Sequence, residues 1–355
     1  MSAPRVLVVG AGMGAGHTEV ARELARRLDL AGAQPRVVDL LELAGAAGAR
    51  LQRTYRLLLA HAAWLYDASM RFWARCPRAM QALTAAGAKP FDEALRREIG
   101  RFEPDVVIST YNLASQSLGR LARRGQVRAP IVTFVIDPGA HPYWVSEFVE
   151  LHLAAMPATA AQLARFGARR VGVSPPVLRP EFASPVARPV ARARLALADA
   201  AGVVLLNAGS WAAGNLDSTL DVVERIDGVL PVVLCGRNEA VRARLATRIG
   251  TRAVGWTADV ATYLAAADAV VDNAGGQTCW EALSCGVPVL VYHPLPGHGR
   301  LNAEALDRAG LARWVHSPAQ LQAALAQLGP GRQPAPAHFA GSDAVEHVLA
   351  LAAGA

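Results

Sequence analysis

The sequence predicts an α/β protein built from two Rossmann-like, doubly wound parallel-sheet domains. Three observations predict it: two series of short apolar, β-branched-rich segments, helical stretches between their members, and a glycine turn that leaves a strand and opens a helix in each half. A chain of 355 residues suits two such cores better than one.

In the first series, strands are predicted at Arg5–Val9, Arg36–Leu40, Asp105–Ser109, Ile131–Ile136 and near Leu151–Ala155. In the second they fall at Val203–Asn207, Val229–Cys235, Arg252–Val254, Ala269–Asp272 and Val287–Tyr292. Between the series, Ser174–Arg194 holds Pro175, Pro176, Pro180, Pro185 and Pro189, which no helix can run through, so it reads as a linker. A second proline-rich break, Gly329–Ala337, precedes a final helix at Ser342–Ala353. The expected organisation is an N-terminal domain over 1–176, a linker over 177–200, a second domain over 201–340 and a terminal helix over 341–355.

Composition narrows the class. Apolar residues make up 52% of the chain, yet no run reaches the about 18–20 residues that span a bilayer. The first strand begins almost at once, so no signal peptide is expected. Cys76, Cys235, Cys279 and Cys285 show no CxxC spacing; small thiols in a reducing cytoplasm are expected, with no metal and no cofactor. Charge is uneven: residues 1–180 carry 23 Lys and Arg against 14 acids, the remainder 13 against 15. The basic half points to an anionic surface such as membrane lipid. Nucleic acid is not expected as a partner, because no helix-turn-helix, zinc module or RNP-type signature accompanies the charge.

The richest stretch is Asp272–Asn302. A buried strand runs into Gly275-Gly276-Gln277-Thr278, a helix follows, and Glu281 sits one turn in. Paired glycines let backbone approach a ligand, the helix N-terminus favours an anion, and a carboxylate one turn on suits a sugar diol. Near the chain start, Gly10-Ala11-Gly12-Met13-Gly14-Ala15-Gly16-His17 lies between a strand and a helix expected at Thr18–Leu30. Gly10, Gly12 and Ala15 fit the dinucleotide fingerprint and Asp39 stands where a ribose-binding acid would, so an NAD-dependent oxidoreductase is the rival reading. Against it, the glycines continue to Gly16 and deliver His17 to the helix start, and the second half has its own phosphate-type turn.

Residues 50–78 add a third signal. Six arginines and one acid are interleaved with Tyr55, Trp64, Tyr66, Phe72 and Trp73, and Leu57, Leu58, Leu65, Met70 and Trp73 recur at helical spacing. A basic amphipathic segment with interfacial aromatics can lie in a headgroup plane; an ordinary helix packed on its own domain is the alternative.

The loop ending in Gly16-His17, the segment Ile136-Asp137-Pro138-Gly139-Ala140-His141-Pro142-Tyr143-Trp144, and the turn Gly275–Glu281 before Gly286-Val287-Pro288 together resemble glycosyltransferase family 28. Within it the chain is most similar to the monogalactosyl- and glucosyl-diacylglycerol synthases, and more distantly to the N-acetylglucosaminyltransferase that forms lipid II. The resemblance runs in the same order over nearly the whole chain. It implies a GT-B fold, two domains facing a cleft, with a UDP-sugar donor held mainly by the second.

Carried over residue by residue, Glu281 would bind the ribose, and backbone at Gly275, Gly276, Gln277 and Thr278 the diphosphate. The loop Ala208-Gly209-Ser210-Trp211 resembles the family's phosphate or sugar loop, and Arg237 with Gly255-Trp256 would frame the uracil. Gly14, Gly16, His298 and Asn302 complete the expected donor contacts. The absence of Asp-x-Asp fits a metal-independent, inverting transferase in which a helix N-terminus receives the leaving diphosphate.

Inversion needs a base for the acceptor hydroxyl. His17 is the first candidate, since a helix N-terminus favours neutral imidazole, and Asp137 at a strand's C-terminal end is the second. His141 and Trp144 are expected to shape the acceptor mouth. The implied acceptor is a lipid hydroxyl, that of diacylglycerol, with the enzyme peripheral on the inner face of the membrane. Where the family commonly reads Pro-Gly-Gln-Glu, this chain has Pro296-Gly297-His298-Gly299, which leaves the sugar open among glucose, galactose and N-acetylglucosamine. A transferase for a soluble natural-product acceptor and a non-catalytic nucleotide-sugar- or membrane-binding protein are the other readings.

Overall fold

The computed structural model describes residues 3–197, 200–207, 214–327, 334–339 and 341–354. The chain divides into two compact units, Met1–Val177 with His338–Ala355, and Leu178–Ala337. Each contains one six-stranded, all-parallel sheet.

The first unit runs β1 (Arg5–Gly10), α1 (Ala15–Leu30), β2 (Gln34–Asp39), α2 (Leu40–Leu43), α3 (Ala46–His61), α4 (Ala63–Ala74), α5 (Pro77–Ala88), α6 (Asp92–Phe102), β3 (Val106–Ser109), α7 (Asn112–Arg123), β4 (Ile131–Val135), β5 (Leu151–Ala154), α8 (Pro157–Arg165) and β6 (Val171–Val173). Its strand order is β2-β1-β3-β4-β5-β6. The β1 segment Val6–Val9 is 0% exposed, because a central parallel strand is covered on both faces. In α1, Val20, Leu24 and Leu28 recur every fourth residue and form the buried stripe. That helix starts three residues before the expected Thr18, so Gly16 and His17 belong to its first turn.

The second unit runs α9 (Pro180–Ala183), α10 (Arg188–Arg194), β7 (Gly202–Asn207), α11 (Leu216–Val223), β8 (Val229–Leu234), α12 (Glu239–Leu245), β9 (Arg252–Val254), α13 (Val260–Ala266), β10 (Ala269–Asp272), α14 (Gln277–Ser284), β11 (Val289–Tyr292), α15 (His298–Arg308), β12 (Arg313–Val315) and α16 (Pro318–Ala326). Its order is β12-β11-β10-β7-β8-β9. The helix α14 stops in a Schellman-type end: Gly286 takes φ +68°, and Val287 N donates to Ala282 O at 2.9 Å. Strand β11 therefore begins at Val289, two residues after the expected Val287.

Three features were not foreseen. The edge strands β6 and β12, of three residues each, are not among the expected strands. The proline-rich stretch contains α9 and α10, each with proline in its first turn, where the missing N–H costs nothing. It packs on the second unit: Ser284 Oγ donates to Phe182 O at 3.1 Å, and Arg188 and Arg192 both pair with Asp268. The last helix, α17 (Ala344–Ala353), belongs to the first unit, where its N-cap Asp343 pairs with Arg27.

Candidate active site

The second unit builds an anion-receptive turn from backbone. Strand β10 delivers Asp272, 1% exposed, whose Oδ2 accepts from Ala274 N at 2.8 Å and Gly275 N at 2.5 Å. Gly275 takes φ +64°, and a Cβ there would lie 2.6 Å from Asn302 Cβ, so both conformation and space require glycine. Gly276 differs: nothing lies within 4 Å of its Cβ position, which leaves room for a ligand. No side chain caps α14 at Gly276, and no acid stands in its first turn, an arrangement suited to an anion. Glu281 lies one turn in, half-buried.

Neighbouring side chains fasten this turn. Asn207, at the end of β7, donates to Thr278 Oγ1 at 2.5 Å, and Asn302 donates to Ala274 O at 3.1 Å. Asn302 is 1% exposed, so it holds the turn from behind, whereas donor contact was expected of it. His298 opens α15, half-buried, after Gly297 at φ +73°. Arg237 lies 4.2 Å above the Trp256 ring, and that indole is 49% exposed, giving a cation–π platform of the size of a planar base. Gly255 admits the Arg242 side chain, whose Cδ would be 3.2 Å from a Cβ. Ser210 and its loop lie outside the described residues.

Sequence reasoning missed Asn207 and the holding role of Asp272. It also missed His293, a non-glycine residue at φ +49° whose ring stacks on Tyr292 at 3.8 Å and whose pKa burial lowers. Its position just past a strand end was the available signal.

The first unit builds a different site at the C-terminal edge of its sheet. His17 Nδ1 lies 2.6 Å from Thr110 O, and Thr110 Oγ1 donates to His17 O at 3.0 Å. A carbonyl only accepts, so Nδ1 carries a proton, and in the neutral ring the basic lone pair is on Nε2. The ring packs edge-on against Tyr111 at 5.1 Å and lies 6.2 Å from Trp144. Trp144 Nε1 donates to Asp137 Oδ2 at 3.1 Å, so the two candidate bases flank one indole. Tyr55, Tyr66 and Tyr143 surround Asp137; burial, chiefly, and the nearby carboxylate raise their phenol pKa values, that of Tyr55 to about 12. They are neutral hydrogen-bonding groups, not bases.

His141 and Trp144, expected to shape an acceptor mouth, are each 1% exposed. His141 Nε2 binds Met70 O of α4 at 3.2 Å, and burial lowers its pKa to about 4. Such a ring donates as neutral imidazole and ties α4 to the Asp137 loop. Gln116 fixes the same loop, donating to Tyr143 O and Val145 O at 3.0 and 2.7 Å.

Asp39 is spoken for. Its Oδ1 accepts from Leu41 N and Glu42 N as the cap of α2, and its Oδ2 sits 3.2 Å from where a Gly12 Cβ would be. Its carboxylate thus serves the start of α2 rather than standing free for a ribose. Gly14 precedes α1 with open space around its Cβ position and no side-chain cap.

Outward from this site, α3 to α5 expose Leu57, Trp64, Leu65, Phe72 and Leu83, Trp64 by 73%. The segment predicted as one amphipathic helix is broken at Ala62 (φ −139°) into α3 and α4. Arg53, Arg56, Arg71, Arg75 and Arg78 are exposed among these apolar side chains. Among the described residues no helix is long and apolar enough to cross a membrane, and no cluster of His, Cys, Asp or Glu has metal-binding geometry.

Comparison with known proteins agrees with both halves. The monogalactosyldiacylglycerol synthase family model matches residues 17–175, and that of the glycosyltransferase family 28 C-terminal domain matches 232–338. The processive diacylglycerol β-glucosyltransferase of Bacillus pumilus is 26% identical over 64% of this chain and 60% of its own length. That of Bacillus cereus strain ATCC 14579 is 22% identical over 87% of this chain and 81% of its own. The chloroplastic monogalactosyldiacylglycerol synthase 1 of Arabidopsis thaliana is 24% identical over 79% of this chain, which spans 56% of that protein. Among solved structures, the kitacinnamycin glycotransferase superposes with a TM-score of 0.62 at 18% identity, over 99% of this chain and 94% of the other. MurG of Acinetobacter baumannii superposes with 0.58 at 19%, over 99% and 100%. The fold is therefore GT-B, and with one family model on each unit the chain belongs to glycosyltransferase family 28, among relatives of the diacylglycerol glycosyltransferases.

Proposed function

We propose that this chain transfers a hexose, with inversion and without a metal ion, from a UDP-sugar to the free hydroxyl of diacylglycerol at an anionic membrane surface. The observation that carries the reading is the 2.6 Å contact between His17 Nδ1 and the Thr110 carbonyl: it takes the Nδ1 proton and leaves Nε2 of the neutral ring as the base for the acceptor. The attacking oxygen forms its bond to the anomeric carbon on the face opposite the leaving group. As it does so, its proton passes to Nε2, and the bond from that carbon to the diphosphate oxygen breaks. UDP leaves as an anion beside Gly276 and the uncapped start of α14, whose N–H dipoles take the charge. Arg237 and Trp256 hold the base, and Glu281 the ribose. Asp137 is the second-choice base; its bond to the Trp144 indole makes it a holder of that side chain first.

The exposed apolar and arginine side chains of α3 to α5 favour a lipid acceptor over a soluble one, because apolar side chains interspersed with cations suit an anionic interface. We place the protein on the inner face of the membrane; its four free cysteines agree with a reducing compartment. A UDP-release assay tests the reading. Purified protein receives UDP-glucose, UDP-galactose or UDP-N-acetylglucosamine, each with anionic vesicles that contain or lack diacylglycerol. Release that requires diacylglycerol with at least one donor is expected, and no release with any of them defeats the proposal.

A further inference from the structure

The anion-receptive turn rests on a buried negative group. Asp272 is 1% exposed, and the partners of its carboxylate are all neutral: the N–H groups of Ala274 and Gly275 and, at 3.6 Å, the Cys279 thiol on Oδ2, together with the Asn207 amide. Its Oδ1 makes no hydrogen bond. Burial raises its pKa above the usual carboxylate value of 3.8, and the N–H donors pull it back down. Elements packed around it bring neutral Asn207 from β7 and Asn302 from α15. These elements carry Cys279 and Glu281 on α14, Tyr292 on β11 with His293 after it, and His298, Arg300, Glu304, Asp307 and Arg308 on α15. The Gly275 N–H that binds this carboxylate is one residue from Gly276, where a diphosphate has room. The same side chain therefore shapes the site and, when ionised, repels what the site takes.

We propose that Asp272 is a positioning residue for the donor and that donor binding is coupled to its protonation. This rests on the second unit being the donor site. Bringing a diphosphate to the turn favours the neutral carboxyl, so the complex takes up a proton. The sign follows: the bound form holds the proton to higher pH than the free form, so affinity falls as pH rises between those two values, by at most about tenfold per pH unit, and is flat outside them. The neutral carboxyl still accepts from the turn with one oxygen, so the turn keeps its shape.

Titration calorimetry without acceptor tests this, using UDP-glucose, UDP-galactose and UDP-N-acetylglucosamine from about pH 5.5 to about pH 8.5 in pairs of buffers with different ionisation enthalpies. These donors carry a diphosphate esterified at both ends, which does not titrate near neutrality. For wild type, proton uptake and weakening affinity with rising pH are expected. Asp272→Asn keeps an acceptor for the turn without the charge; it should bind without uptake, with a flat pH profile, and more tightly than wild type at the alkaline end. Asp272→Ala removes the acceptor and should lose about tenfold or more in affinity at every pH. Uptake that persists in Asp272→Asn assigns the proton to His293 or His298 and overturns the proposal. So does wild-type binding that is independent of pH, a result that needs no variant to fold. Failure of wild type to bind any of the three donors overturns the donor reading itself, and this proposal with it.

Discussion

The two candidate sites are built in opposite ways. In the second unit, the site is mainly backbone: one left-handed glycine, one open glycine and an uncapped helix start, braced from behind by Asp272, Asn207 and Asn302. In the first, the site is mainly side chains from separate elements. His17 comes from α1, Asp137 and Trp144 from the segment after β4, and Tyr55 and Tyr66 from two helices inserted between β2 and β3. A diphosphate is the same in every donor, so a fixed peg of backbone dipoles suits it. An acceptor hydroxyl must be oriented and deprotonated, which takes groups with their own chemistry.

That contrast can be broken at several points. The largest effect is expected at His17: His17→Ala should lower the transfer rate by about 10²- to 10⁴-fold, with UDP-sugar affinity unchanged in calorimetry. Near-normal turnover would shift the base to Asp137. In the other unit, the two glycines should separate. Gly275→Ala forces a positive φ and a clash with Asn302, so it should cost about 1–3 kcal/mol in denaturant unfolding and donor affinity as well. Gly276→Ala meets no protein atom, so it should melt like wild type yet bind UDP-sugar about tenfold or more weakly. Equal melting of both variants would mean that the turn is looser than described.

Smaller effects follow. Trp64→Ser with Phe72→Ser should reduce binding to anionic vesicles about tenfold in a flotation assay and leave donor affinity alone. Unchanged flotation would return that face to ordinary surface. The smallest is a pH effect on stability. Burial lowers the pKa of both His141 and His152 from 6.5 to about 4. Each folded ring then resists a proton that the unfolded chain accepts, so stability falls as pH drops from 6.5 towards 4. The melting temperature should be a few degrees lower at pH 5 than at pH 7, and a flat profile would contradict the burial of these rings.

The two sites were unequally legible in the sequence. Gly275 and Gly276 are visible because a special backbone conformation leaves its mark in residue type. The first strand series and the second declared themselves through β-branched runs, whereas the three-residue β6 and β12 did not. His17 stood out because it ends a glycine run. The Thr110 carbonyl that sets its tautomer is 93 residues away and belongs to backbone, which no composition reports. Burial was also invisible: His141, Trp144 and Asn302 look like ligand contacts in a list of polar and aromatic residues, and only packing shows them turned inward. Asp39 matched a ribose-binding position by spacing alone, while its carboxylate is committed to capping α2.

The central claim is that one sugar is moved from a nucleotide to a lipid. Mass spectrometry of lipids extracted after incubating the purified protein with the three UDP-sugars and diacylglycerol-containing anionic vesicles tests it most directly. The expected result is diacylglycerol heavier by one sugar residue, formed with one donor above the others and absent with His17→Ala. UDP released with the lipid unmodified, or sugar found only on a water-soluble product, would contradict it.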